Sequence, residues 1–74
     1  MKLSELNAGC ICKIVSIDNG LYGVERFKEL GITSGVTVKL VRYAPLGDPS
    51  EIGFRGFLLA IRVKDAEKIN VVKI

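Results

Sequence analysis

The chain contains no histidine and no tryptophan, and it has only two prolines and two cysteines. Losing histidine removes the side chain that most often carries protons near neutral pH and most often ligates transition metals. No Ser-His-Asp or Cys-His arrangement can be assembled, and no carboxylate pair stands out by its spacing. The sequence therefore does not read as an enzyme. With three Phe and two Tyr, it is also short of the aromatics that line grooves for proline-rich peptides. The longest purely apolar run is Phe57–Ile61, far short of the roughly 20 residues that span a bilayer. Glu5 and Asn7 interrupt the N-terminal segment before a signal sequence can build, so a cytoplasmic location is expected, with both thiols reduced.

What is present describes one small folded domain over residues 1–74. The hydrophobic fraction is 49% and the charged fraction 26%, which fits a globular chain. Eleven Lys and Arg against eight Asp and Glu give a formal charge of +3. These cations are scattered, and no run of them marks a nucleic-acid stripe.

The hydrophobic period separates the elements. Cys10–Asp18 reads as a strand rich in β-branched residues, ended by Asn19 and Gly20. Leu21, Val24, Phe27 and Leu30 recur every three residues with charges between them, which predicts an amphipathic helix over residues 21–30. Gly31 stands where a C-terminal helix cap belongs. Val36–Arg42 alternates as a strand, and Glu51–Arg55 and Phe57–Val63 follow on either side of Gly56. Asp65 is placed to cap a short helical turn over residues 66–68, and Ile69–Ile74 is a last strand. Five strands and one helix predict a mainly β fold. The expected architecture is a small SH3-like antiparallel barrel with one short helix inserted between the first and second strands, which removes the open edges of a flat sheet. Phe54 and Phe57 are expected in its core, and Arg55 and Arg62, on neighbouring strands around Gly56, either pair with Glu51 or Asp48 or present charge to an acidic partner.

Between the second and third strands, Ala44-Pro45-Leu46-Gly47 fits a type I turn, and Asp48-Pro49 adds a second stiff step. A stiff loop loses little entropy when it meets a partner, and Leu46 sits at its tip. The competing reading folds Leu46 back over the barrel end and uses Asp48 to cap local backbone N–H groups. Cys10 and Cys12 point to one side of a strand, so two thiolates could share a soft metal. A closed site needs about four ligands, and a pair of small buried hydrophobes explains the cysteines as well. No cofactor is expected.

These residues also carry a resemblance. Phe27-Lys28-Glu29-Leu30-Gly31-Ile32-Thr33-Ser34-Gly35 is similar to the L-x-x-L-G-[IL]-x-x-G segment of the ferrous iron transport protein A (FeoA) family. Ala44-Pro45-Leu46-Gly47-Asp48-Pro49 resembles that family's A-P-L-G-D-P stretch. Arg55-Gly56-Phe57 with Leu59-Ala60-Ile61-Arg62 resembles its R-G-[FY]-x-L-A-[LI]-R segment. The resemblance implies an SH3-like domain. It also implies a cytoplasmic accessory to a FeoB-like membrane GTPase that imports ferrous iron, touching the membrane only through that partner. Transition-metal binding is a secondary expectation, with Cys10 and Cys12 as its candidates.

Arg42, Pro45, Leu46, Gly47, Asp48 and Pro49, with Arg26 on the helix, are the expected partner-binding residues. Similar modules end metal-dependent repressors, but no DNA-binding or metal-sensing segment precedes this one, so the free-standing reading is preferred. The alternative is a small barrel that binds nucleic acid, hinted at by Arg42-Tyr43 and Phe54-Arg55-Gly56-Phe57. Val72 and Ile74 leave an apolar edge through which a second copy could pair.

Overall fold

A computed structural model describes residues 1–18 and 24–74, without the side chain of Val24. Five strands form one antiparallel sheet: β1 (Ile11–Ile17), β2 (Thr37–Tyr43), β3 (Ser50–Phe54), β4 (Phe57–Ile61) and β5 (Ile69–Lys73). Their spatial order is β4-β3-β2-β1-β5, so consecutive strands β1 to β4 pair as a meander and β5 returns to lie beside β1. Helix α1 (Val24–Leu30) follows β1, and a single turn, α2 (Val63–Ala66), joins β4 to β5. The first three positions of the expected helix lie outside the described residues.

Alternation puts Cys12 and Ile14, Val38 and Leu40, and Ile52 and Phe54 on one face, and all six are buried. They meet Ile69 and Val71 from β5, Ile61 from β4, Phe27 from α1, Ala66 from α2, and Leu3 and Leu6 from the N-terminal segment in one cluster. Every strand therefore faces the same core, which requires the sheet to curl. Register shifts between Ile14 and Ser16 in β1 and between Leu40 and Arg42 in β2 supply local bends.

Helix α1 ends as the sequence indicates. Gly31 has φ of +90°, and its N–H donates to Lys28 O at 3.0 Å while Ile32 N–H donates to Phe27 O at 2.9 Å. Those two bonds form a Schellman motif, and the buried pair Phe27 and Ile32 supplies its apolar contact. The expected Asp65 cap is not observed. Helix α2 begins at Val63, so Asp65 lies within its first turn, and Arg62 at the cap position makes no capping side-chain bond.

Edge strand β5 is partly covered. Lys2 bridges Asn70, and Val71 N–H donates to Met1 O at 2.8 Å. Lys2 Nζ also donates to Asn70 Oδ1 at 2.7 Å, and Asn70 Nδ2 donates to Ser16 Oγ at 2.9 Å, tying the N-terminus to β1 and β5. Val72 and Ile74 remain exposed.

Candidate docking site

The β2–β3 loop is stiff because its backbone bonds to itself. Gly47 N–H donates to Ala44 O at 2.7 Å, closing the expected turn, and Ala44 N–H donates to Pro49 O at 2.9 Å, closing the loop. Gly47 has φ of +89°, a conformation that a residue with a Cβ adopts only at a cost. The Asp48–Pro49 peptide is cis. Leu46 projects from the tip and is 97% exposed, so it does not fold back over the core.

Asp48 is exposed too, but its carboxylate turns toward α2. Its Oδ1 accepts from Val63 N–H at 3.1 Å. Val63 opens α2, where the first N–H groups have no partner within the helix. An acidic side chain from another loop thus performs the capping that neither Arg62 nor Asp65 provides, 15 residues away in the chain. The expectation that Asp48 caps a backbone group holds, but the group is distant rather than local.

Arg42 is paired. Its Nε donates to Glu51 Oε1, because the β2–β3 register sets these two residues opposite each other. The expected pairings of Arg55 and Arg62 with Glu51 and Asp48 do not form. Arg55 instead lies with its guanidinium carbon 5.0 Å above the Phe54 ring. Tyr43 is oriented by its hydroxyl, which donates to Leu6 O at 2.7 Å.

Arg42, Ala44, Pro45, Pro49 and Ala60 line one groove beside the loop. Arg26 lies apart from it, in a neighbouring hollow lined also by Phe27, Ala60, Arg62 and Asp65. Ala60 belongs to both, so Arg26 and Arg42 flank β4 from two sides. Of the seven expected contact residues, Arg42, Pro45 and Pro49 share a groove, Leu46 and Gly47 form the tip above it, Asp48 is turned away to α2, and Arg26 is separate.

Cys12 is fully buried and Cys10 partly so. Burial, and then the nearby Cys10, push the Cys12 thiol above its ordinary value, which favours the neutral thiol. Among the described residues no group of three or more Cys, Asp or Glu could hold a metal ion. No described helix is long and apolar enough to cross a membrane.

One surface feature departs from the sequence reading. Phe57 is 53% exposed rather than buried: at the first position of β4 it stands opposite the buried Phe54 and packs one side of its ring there, centroids 6.3 Å apart, leaving the rest to solvent. Leu58 and Ile11 are exposed beside it. An unbroken apolar run such as Phe57–Ile61 must put apolar side chains on both faces of a strand, and Leu58, opposite Gly53, takes the outer one.

A curled five-stranded antiparallel sheet with a helix after its first strand and a stiff, exposed β2–β3 loop defines a small SH3-like domain. The FeoA domain family model matches residues 1–73, and the chain belongs to that family. It is 40% identical to the FeoA protein from Chlorobium tepidum, known from a solution NMR structure, with a TM-score of 0.92 over 100% of this chain and 70% of that one. It is 26% identical to Stenotrophomonas maltophilia FeoA complexed with zinc, a prokaryotic SH3 domain protein, with a TM-score of 0.80 over 97% and 89% of the two chains. It is 35% identical, over 96% of its own length, to a fusion of Fe(2+) transport protein A and the Fe(2+) transporter FeoB from Porphyromonas gingivalis, of which it spans only 8%.

Proposed function

We propose that this domain is a cytoplasmic accessory of bacterial ferrous iron uptake that docks on a FeoB-like membrane GTPase transporter and modulates it. The observation that carries the reading is Leu46, a large apolar side chain held 97% exposed on a loop braced by three hydrogen bonds, at Ala44, Gly47 and Asp48. A braced loop pays little ordering entropy on binding, and a fully exposed leucine gains most from being covered. The fused relative supports the partner, since one chain there holds both an A-type segment and the transporter.

In this reading Leu46, Pro45, Gly47 and Pro49 make the contact, with Arg42 at the rim of the adjoining groove and Arg26 across β4. Asp48 is a positioning residue that holds the loop against α2. Docking modulates the transporter by favouring whichever of its conformations binds the loop better.

An amide NMR titration with the isolated cytosolic GTPase domain of a FeoB-like transporter tests this. Shifts centred on residues 44–50 are expected, and Leu46→Ala should weaken binding about tenfold or more without changing the thermal midpoint. Unchanged affinity of the folded Leu46→Ala protein would rule the loop tip out as the contact.

A further inference from the structure

The outer face of the sheet carries a second surface, separate from the β2–β3 loop. Strand register sets Ile11 opposite Lys39, Lys39 opposite Gly53, and Gly53 opposite Leu58. These four residues form one row across β1, β2, β3 and β4. At about 4.8 Å between strands the row is about 14 Å long. The solvent face of an antiparallel sheet ordinarily presents polar side chains. Here both ends of the row are large and apolar, with Ile11 46% and Leu58 55% exposed, and Phe57 stands beside Leu58.

Gly53 opens the middle. With no side chain there, the row borders a shallow, open hollow of about 400 Å³ above the backbone of β3. An added Cβ at Gly53 would come within 3.3 Å of Val41 Cγ2, so a side chain fits there only if Val41 gives way.

The charges of the hollow are of one sign. Its lining includes Lys39 and Arg55 and no acidic residue. Lys39 has no ion pair among the described residues, and the acid nearest along the sheet, Glu51, is committed to Arg42. Arg55 is fixed at the end of the hollow by the two-residue β3–β4 turn. Its φ of +49° is uncommon for a residue with a long side chain, and Phe54 lies beneath its guanidinium. Its charge is therefore presented from a defined place.

We propose that this hollow docks a short, extended, acidic segment of a partner protein. One apolar side chain would rest over Gly53 between Ile11 and Leu58, and flanking carboxylates would meet Lys39 and Arg55. A segment of about four residues covers the row at about 3.3 Å per residue. Single-stranded nucleic acid fits less well. Base stacking needs exposed aromatic faces, and Phe54 is buried under Arg55 while the half-exposed Phe57 ring is tilted against it, centroids 6.3 Å apart, which leaves one partly open ring on this surface.

The test uses the whole chain and a fluorescein-labelled peptide of alternating Leu and Glu, read by anisotropy and amide shifts. Saturable binding tighter than about 1 mM is expected, with shifts at Ile11, Lys39, Gly53 and Leu58 and none with a Leu-Lys peptide. Lys39→Gln with Arg55→Asn should weaken binding at least about tenfold. Asparagine tolerates the left-handed conformation, so the fold should survive, and a dispersed amide spectrum checks that it does. Leu58→Ser, on an exposed position, should weaken binding without removing a charge. Four results would each overturn the proposal: no binding up to about 1 mM, equal binding of the Leu-Lys peptide, full binding by the folded double variant, or tighter binding of an oligouridylate. Shifts confined to residues 44–50 would also overturn it, since they would move the acidic segment to the loop.

Discussion

Replacing Asp48 by alanine should destabilise a helix that Asp48 does not belong to. The acceptor lost is the carboxylate oxygen 3.1 Å from Val63 N–H, and no capping side chain replaces it at Arg62. N-cap substitutions of this kind cost about 1 kcal/mol, within a range of about 0.5–2. The bond is solvent-exposed, so water can partly take the place of the carboxylate, and the lower half of that range applies. For a domain of this length, about 1 kcal/mol lowers the thermal midpoint by about 4–8 °C. Circular dichroism melts should show a fall of a few degrees for Asp48→Ala, and Asp48→Asn should recover most of it because asparagine caps as well as aspartate. Hydrogen exchange at the Val63 amide should quicken in the alanine variant and not in the asparagine one. Docking through the loop should weaken in Asp48→Ala together with the loss of stability, whereas Leu46→Ala should weaken docking alone. An Asp48→Ala protein with an unchanged midpoint and unchanged Val63 exchange would refute the capping role. An Asp48→Asn protein that is fully stable yet unable to dock would show that the carboxylate itself meets the partner.

Gly31→Ala should destabilise the fold by about 1–2 kcal/mol in urea titration, since it forces a Cβ into the left-handed conformation that ends α1. That Cβ would also stand 3.3 Å from Arg55 Nη1, so Gly31→Ala should displace the Arg55 side chain. Alkaline pH should weaken the protein through Cys12 and Tyr43. Burial raises the Cys12 thiol above its ordinary 9.0 and the Tyr43 phenol above its ordinary 10.0. The neutral forms are thus favoured in the folded state, and the stability they contribute is complete below those ordinary values and is lost as pH rises past them. Urea midpoints should fall between pH 8 and pH 11, and Cys12→Ala should flatten the first part of the fall. An identical pH profile for that variant would rule out Cys12 as a source.

Much of the fold was legible because its signals are local. Val38 and Leu40 announce a strand by period two, Phe27 and Leu30 announce a helix by period three, and Gly31 announces its end. The turn at Ala44–Gly47 was equally open to reading, since proline and glycine at those positions leave few alternatives. The strand expected over Phe57–Val63 begins where the sequence indicates but stops at Ile61, since Val63 opens α2, and the exposure of Phe57 differs from expectation. An apolar residue at every position has no alternation, so nothing in the run says which side chains face water. The outer-face hollow stayed hidden for a related reason. Ile11, Lys39, Gly53 and Leu58 are far apart in the chain, and only strand register makes them one row.

Asp48 shows how a local rule misleads at a site. Aspartate favours helix N-termini, so the nearest aspartate to a short helical pattern, Asp65, was the natural cap. The chain instead begins α2 three residues earlier and borrows its acceptor from the β2–β3 loop. This exchange has a consequence for the Ala44–Pro49 stretch. If all of it contacted a partner, its residues would be expected to point outward together. In the structure Asp48 is tied to α2, Ala44 and Gly47 are tied to each other, and Leu46 alone projects a large side chain. The stretch is therefore divided between residues that hold a shape and one that presents a surface. Substitutions at Asp48 and at Leu46 should accordingly separate stability from docking.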